Sequence, residues 1–218
     1  MSDSEQLAPK QIAVEQFTNG IYRENAYIVG GPDGGAALLI DPGSDADAIT
    51  DILDTHNWRP AAIICTHAHF DHVGAVADLM ATYDIPFYLH RADAALLKRM
   101  NLYKMVIDPG DALKVPEITH DLADIADVTI AGFEIAVLPS PGHTPGGVCF
   151  RIGAELFTGD TVLPAGVGRI DLPGGDGAAL ADSVAMLHTL PRELTAHPGH
   201  GASMALGDLL DNLQDVAS

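Results

Sequence analysis

Thr66-His67-Ala68-His69-Phe70-Asp71-His72-Val73-Gly74 packs three imidazoles and a carboxylate into consecutive residues. Crowding these groups costs desolvation and offers no apolar burial in return. Metal ligation accounts for them, because neutral imidazole and carboxylate are preferred donors to zinc and iron. The apolar run Ala61–Cys65 just before reads as a buried strand leading into the cluster. In an extended chain alternate side chains share a face, so His67, His69 and Asp71 are expected to point one way. His72 joins them only where the chain turns, and the helical pattern beginning near Val73-Gly74 supplies that turn.

Working outward, further donors stand where other apolar runs stop. His143 lies in Ser140-Pro141-Gly142-His143-Thr144-Pro145-Gly146-Gly147, Asp160 in Phe157-Thr158-Gly159-Asp160-Thr161, and His200 in His197-Pro198-Gly199-His200-Gly201. A single loop histidine is usually a solvated one. Three donors flanked by glycine or proline at successive strand ends suggest loops converging on one rim. His197 is read as flanking, and His188 as a packing or surface residue on a helix.

The rest of the chain supplies alternating strands and helices. Strands are expected at Ile12–Phe17, Ala26–Val29, Ala36–Ile40, Pro86–Leu89, Val128–Ile130, Glu134–Leu138, Gly147–Ile152, Glu155–Thr158 and Glu193–Ala196. Helical spacing predicts Ala46–Thr55, Gly74–Tyr83, Ala92–Met105, Gly177–Leu190 and Ala205–Val216, with Trp58–Pro60 as a break and Val106–Asp127 mostly loop. No linker, repeat or low-complexity segment interrupts the pattern, so residues 1–218 read as one α/β (or α+β) domain.

Thirty acidic residues against eleven basic ones give a formal charge of −19. Such a surface repels phosphate backbones and anionic lipid, which argues against nucleic-acid and membrane partners. The start MSDSEQLAPK lacks an apolar stretch after a basic one, so no signal peptide is expected and a cytoplasmic location is. Cys65 and Cys149 sit in apolar runs without metal-type spacing, and buried free thiols are expected.

Taken in order, the four donor motifs, preceded by Leu38-Leu39-Ile40-Asp41-Pro42-Gly43, resemble the metallo-β-lactamase superfamily over almost the whole chain. The resemblance implies a four-layer αβ/βα sandwich, two mixed β-sheets face to face with helices outside and a metal site at one edge. Gly159-Asp160-Thr161-Val162-Leu163 and Gly166-Val167-Gly168-Arg169-Ile170-Asp171 look like the glyoxalase II (hydroxyacylglutathione hydrolase) group in a short bacterial form. By that resemblance His67, His69 and His143 hold one divalent metal ion, Asp71, His72 and His200 a second, and Asp160 bridges them. Asp41 steadies a ligand histidine from behind. Zinc is the expected metal, with iron or manganese as alternatives. The implied activity is hydrolysis of a small-molecule thioester, with Asp71 orienting the attacking hydroxide or moving its proton, and Arg169 gripping a substrate carboxylate.

Eighteen residues follow His200 and none is Lys or Arg, so the family's basic glutathione clamp is expected to be missing or built differently. A persulfide dioxygenase with one iron, on counterparts of His67, His143 and Asp160, shares these motifs. A lactonase fits less well, since the last tyrosine is Tyr103. A β-lactamase fits less well still, because those enzymes generally lack the bridging Asp.

Overall fold

The computed structural model describes residues 12–216; the N-terminal stretch read for a signal peptide lies outside the described residues. Two mixed six-stranded sheets form the centre. The first runs β1 (Ala13–Asn19), β2 (Glu24–Gly30), β3 (Gly35–Ile40), β4 (Trp58–Ile64), β5 (Phe87–Leu89) and β6 (His120–Asp121), antiparallel to β3 and parallel from there on. The second runs in the order β14 (Met204–Ala205), β13 (Thr195–Pro198), β10 (Glu155–Gly159), β9 (Val148–Ile152), β8 (Phe133–Pro139), β7 (Asp127–Ile130), with only β10 and β13 parallel. β11 (Val162–Leu163) and β12 (Gly166–Val167) make a small ribbon beside it.

Period-2 alternation builds the layers. Tyr27, Val29, Leu38, Ile40, Ala62 and Ile64 of the first sheet meet Phe133, Val137, Val148, Phe150, Ile152 and Phe157 of the second in one shared core. The intervening residues Ala26, Ile28, Leu39, Ile63 and Cys65 face outward onto α1 (Ala46–Thr55), α3 (Val76–Tyr83), α4 (Ala94–Lys98) and α5 (Met100–Ile107). On the far side Cys149, Leu156 and Ala196 pack under α6 (Gly177–Leu187) and α7 (Leu206–Val216). This is the expected αβ/βα sandwich. Both thiols are buried and free, as expected, and burial pushes each above its usual value.

Four expectations are corrected. The first helix ends before Trp58–Pro60 as expected, but these residues already belong to β4, which was expected to start at Ala61; Pro60 fits because the pairing with β3 shifts register between Ala37 and Leu38. Trp58 is anchored as its Nε1 donates to Gly31 O at 2.8 Å. The helix expected at Ala92–Met105 is divided, since Arg99 leaves helical geometry between α4 and α5. The helix expected at Gly74–Tyr83 begins earlier, as the short α2 (Phe70–Val73), and resumes at α3. Asp71 and His72 therefore lie on a helical turn, and Asp71 does not share an extended face with His67 and His69. Two-residue strands such as β6, β11, β12 and β14 are too short to leave a period in the sequence.

Among the described residues no helix is long and apolar enough to cross a membrane.

Candidate metal centre

The strands all deliver their donors to one edge. Asp41 follows β3, His67 and His69 follow β4, His143 sits in the β8–β9 turn, Asp160 follows β10, and His200 follows β13. The edge is sewn across the sandwich, with Val148 N donating to Thr66 O at 2.9 Å and Asn25 N to Gly199 O at 2.8 Å. Glycine is required where donors crowd. A Cβ on Gly199 would run into Asp160 Oδ1 and lie 2.7 Å from His72 Cε1, and one on Gly168 would lie 2.8 Å from His143 Nδ1.

Two triads result, each with donor atoms within 4.8 Å of one another. In the first, His69 Nδ1 lies 3.1 Å from His67 Nε2 and 2.9 Å from His143 Nε2. In the second, Asp71 Oδ2 lies 3.9 Å from His72 Nε2 and 3.6 Å from His200 Nε2. Asp160 stands between them, with Oδ2 3.5 Å from both His143 Nε2 and His200 Nε2, and Oδ1 3.6 Å from His72 Nε2. Every donor expected from the sequence is thus present at one locus.

The outward nitrogen of each ring fixes which nitrogen points inward. His143 Nδ1 donates to Arg169 O at 2.7 Å, His200 Nδ1 to Tyr22 O at 3.1 Å, and His72 Nδ1 to Asp41 Oδ2 at 3.1 Å. Thr66 Oγ1 donates to Asp41 Oδ2 at 2.6 Å, so it accepts from His67 Nδ1 at 3.1 Å. Each of these four rings is left with an Nε2 lone pair aimed at the centre, the tautomer a metal ligand needs.

The centre also contains two orphaned atoms. His72 Nε2 and Asp160 Oδ1 are buried and have no hydrogen-bond partner. Leaving buried polar atoms unsatisfied is costly, and a cation between them removes the cost. The residues therefore fit divalent metal. Asp41, His67 and His72 also cluster, but Asp41 spends its carboxylate on Thr66 N (2.7 Å), Thr66 Oγ1 and His72. Its place is behind the ligands.

Electrostatics agree. Burial, with its histidine neighbours, holds His67 well below the usual imidazole value and His69 down at about 3, so both are neutral donors. Burial opposes ionisation of Asp160, but His72, His200 and His143 outweigh it and hold the carboxyl below its usual range. Burial likewise opposes protonation of His72, yet Asp160, Asp71 and Asp41 together raise it well above its usual value.

Three supporting residues escaped the sequence reading. Asp93, fully buried, accepts from Ala68 N (3.0 Å), Thr144 Oγ1 (2.8 Å) and Gly146 N (2.7 Å). It ties the loop bearing His67 and His69 to the loop bearing His143. Glu24, also buried, accepts from Gly43 N at 3.2 Å, and burial raises its carboxyl to about 9. Thr66 links Asp41 to His67 as described. Thr66 adjoins the histidine run, but Asp93 and Glu24 carry no local signal of their role. His197 is flanking as expected, held by Glu155 (2.7 Å) and Ser203 (2.8 Å) and stacked on Phe157.

Above the donors opens a cleft of ≈ 250 Å³ whose lining includes His69, Asp71, His143, Asp160 and His200. Arg169 reaches its lip, where Nε and Nη2 bind the two oxygens of Asp171 at 2.9 and 2.8 Å.

Known proteins agree with this geometry. The family model of the metallo-beta-lactamase superfamily matches residues 20–204. A probable metallo-hydrolase, YqgX of Bacillus subtilis, is 33% identical over 84% of this chain and 87% of its own length. A hydroxyacylglutathione hydrolase of Anaeromyxobacter dehalogenans is 36% identical over 77% of this chain, which spans 58% of that protein. The crystal structure of BLEG-1 B3 metallo-beta-lactamase superposes with a TM-score of 0.87 at 32% identity, over 94% of this chain and 100% of that one. TTHA1623 in a di-iron-bound form superposes with a TM-score of 0.80 at 39% identity, over 89% and 96%. Donor geometry, fold and relatives converge, and the chain belongs to the metallo-β-lactamase superfamily, whose fold implies divalent metal ions and an enzyme.

Proposed function

We propose that the chain is a glyoxalase II-like thioester hydrolase that works with two divalent cations. His67, His69 and His143 would hold one, Asp71, His72 and His200 the other, and Asp160 both. Zinc suits the donor set, and iron or manganese would be accepted by the same nitrogens and oxygens. One observation carries the reading: seven metal-type donors floor a cleft whose described lining includes no serine, cysteine or lysine, which supports water as the attacking group.

Bound cations would supply Lewis-acid polarisation of a carbonyl and acidify water near neutral pH. The chain's own residues then position and move protons. Asp71 faces the cleft and is partly exposed, so its carboxylate can accept a proton from the attacking water and pass it to the departing thiolate. Asp41 and Thr66 keep His72 and His67 from rotating. The partial likeness to the Anaeromyxobacter hydrolase supports a thioester as substrate.

The likeness to BLEG-1 supports a second reading, β-lactam hydrolysis. Metal quantification alongside turnover of S-lactoylglutathione, a neutral acyl thioester, nitrocefin and glutathione persulfide separates these. The expected result is two metal ions per chain and thioester cleavage. Nitrocefin turnover alone would favour the second reading. One iron per chain with oxygen uptake on the persulfide would replace both with a dioxygenase.

A further inference from the structure

The walls of the cleft are apolar. Leu96, Tyr103 and Ile107 come from α4 and α5, and Leu163, Val167 and Leu172 from the segment after Asp160. Ile107 and Val167 are each 46% exposed. Apolar surface left open at the mouth of a concave site, on a chain of formal charge −19, is solvation that an apolar occupant recovers.

The cations nearby are already engaged. Arg169 is the one Lys or Arg among the described residues lining the cleft, and Asp171 takes the Nε–Nη2 edge of its guanidinium and offsets its charge. A substrate carboxylate approaching from the Nη1 side meets a guanidinium whose charge Asp171 already offsets, so it gains less than it would from a free arginine. Lys104, lining an adjoining hollow, is held by the Asp108 carboxylate at 3.2 Å and the Asp108 carbonyl at 3.0 Å.

We propose that the cleft selects thioesters of apolar acyl groups on an uncharged thiol over glutathione thioesters, and that Asp171 sets this preference by offsetting the charge of Arg169. The choice of thioester rests on the function proposed above; the preference for apolar, uncharged ligands is a separate property of the walls and the lip.

Two uncleavable thioethers with the same alkyl group test it: S-hexyl-N-acetylcysteamine, which is neutral, and S-hexylglutathione, which is anionic. Each is titrated calorimetrically into the metal-loaded chain, and the matching hexanoyl thioesters are assayed for turnover. The neutral ligand is expected to bind about tenfold more tightly. Asp171→Asn should tighten S-hexylglutathione about fivefold and leave the neutral ligand unchanged, because it releases Arg169. Equal or tighter binding of S-hexylglutathione by the native chain overturns the proposal, as does its indifference to Asp171→Asn. Binding of neither ligand, as when a second copy of the chain covers the cleft, overturns it too. If the binding order holds but neither thioester is cleaved, the reaction assignment falls while the preference stands.

Discussion

The two donor triads share Asp160 but are built in different ways. The first, His67, His69 and His143, is three rings on two loops that Asp93 clamps together through three hydrogen bonds. The second, Asp71, His72 and His200, combines a helical turn with the loop after β13, and has no equivalent clamp among the described residues. Its outer donor, His200, retains 26% exposure where His143 has 6%. On the two-cation reading proposed above, the more buried first triad is expected to hold its ion more tightly, and the more open second one to lose it first.

The largest effect expected is the one that erases the comparison. Asp160→Ala removes the carboxylate both triads face and leaves His72 Nε2 without its counter-charge. Metal content should fall to near zero and kcat/KM by more than about a thousandfold. Full activity in that variant, with metal counted by plasma emission, would refute the shared role.

His200→Ala should separate the triads. About one metal ion per chain should remain after dialysis, with turnover down roughly a hundredfold. Retention of both ions would show that the second triad does not depend on its exposed member.

Asp93→Asn acts on the first triad alone. Its amide cannot accept on both sides, so either the Gly146 N contact or the pair formed by Ala68 N and Thr144 Oγ1 is lost. Metal affinity should drop about tenfold, and the absorption bands of the cobalt-substituted chain should shift. An unchanged cobalt spectrum together with a lowered melting temperature would mean that Asp93 only stabilises the fold.

The smallest effect on the centre comes from behind the second triad, at Glu24. With its carboxyl raised from 4.5 to about 9, the folded metal-free chain keeps a proton that the unfolded chain has released. Stability should therefore fall as pH rises through that window, the loss being complete above about 9. Glu24→Gln has no such proton and should flatten the curve, so its advantage over the native chain should grow from pH 5 to pH 9 by an amount on the order of 1–3 kcal/mol in urea unfolding. A gap that shrinks with pH would contradict a protonated Glu24.

The two triads also differ in how much of them was legible. Local chemistry alone exposes His67, His69, Asp71 and His72, because no fold needs so many polar groups in so few residues. The three remaining donors, His143, Asp160 and His200, lie one by one at strand ends, and only their order along the chain ties them to the run. The face-sharing rule misplaced Asp71, because it applies to extended chain and β4 stops at Ile64, leaving Asp71 on a helical turn.

By itself, then, the sequence determined the run from His67 to His72 and a chain of alternating strands and helices, since period-2 runs sort side chains to one face or the other and imidazole clusters have one economical use; the sandwich and the full donor set it carried only through its resemblance to the family. The tertiary structure decided which donors meet. It also revealed Asp93 and Glu24, and it showed Arg169 closed on Asp171. The roles of Asp93 and Glu24 depend on contacts between segments apart in the chain, such as Asp93 with Gly146 and Glu24 with Gly43, and a contact of that kind leaves no period, cap or motif in either segment; the Arg169–Asp171 pair is local, but only side-chain geometry shows that it forms.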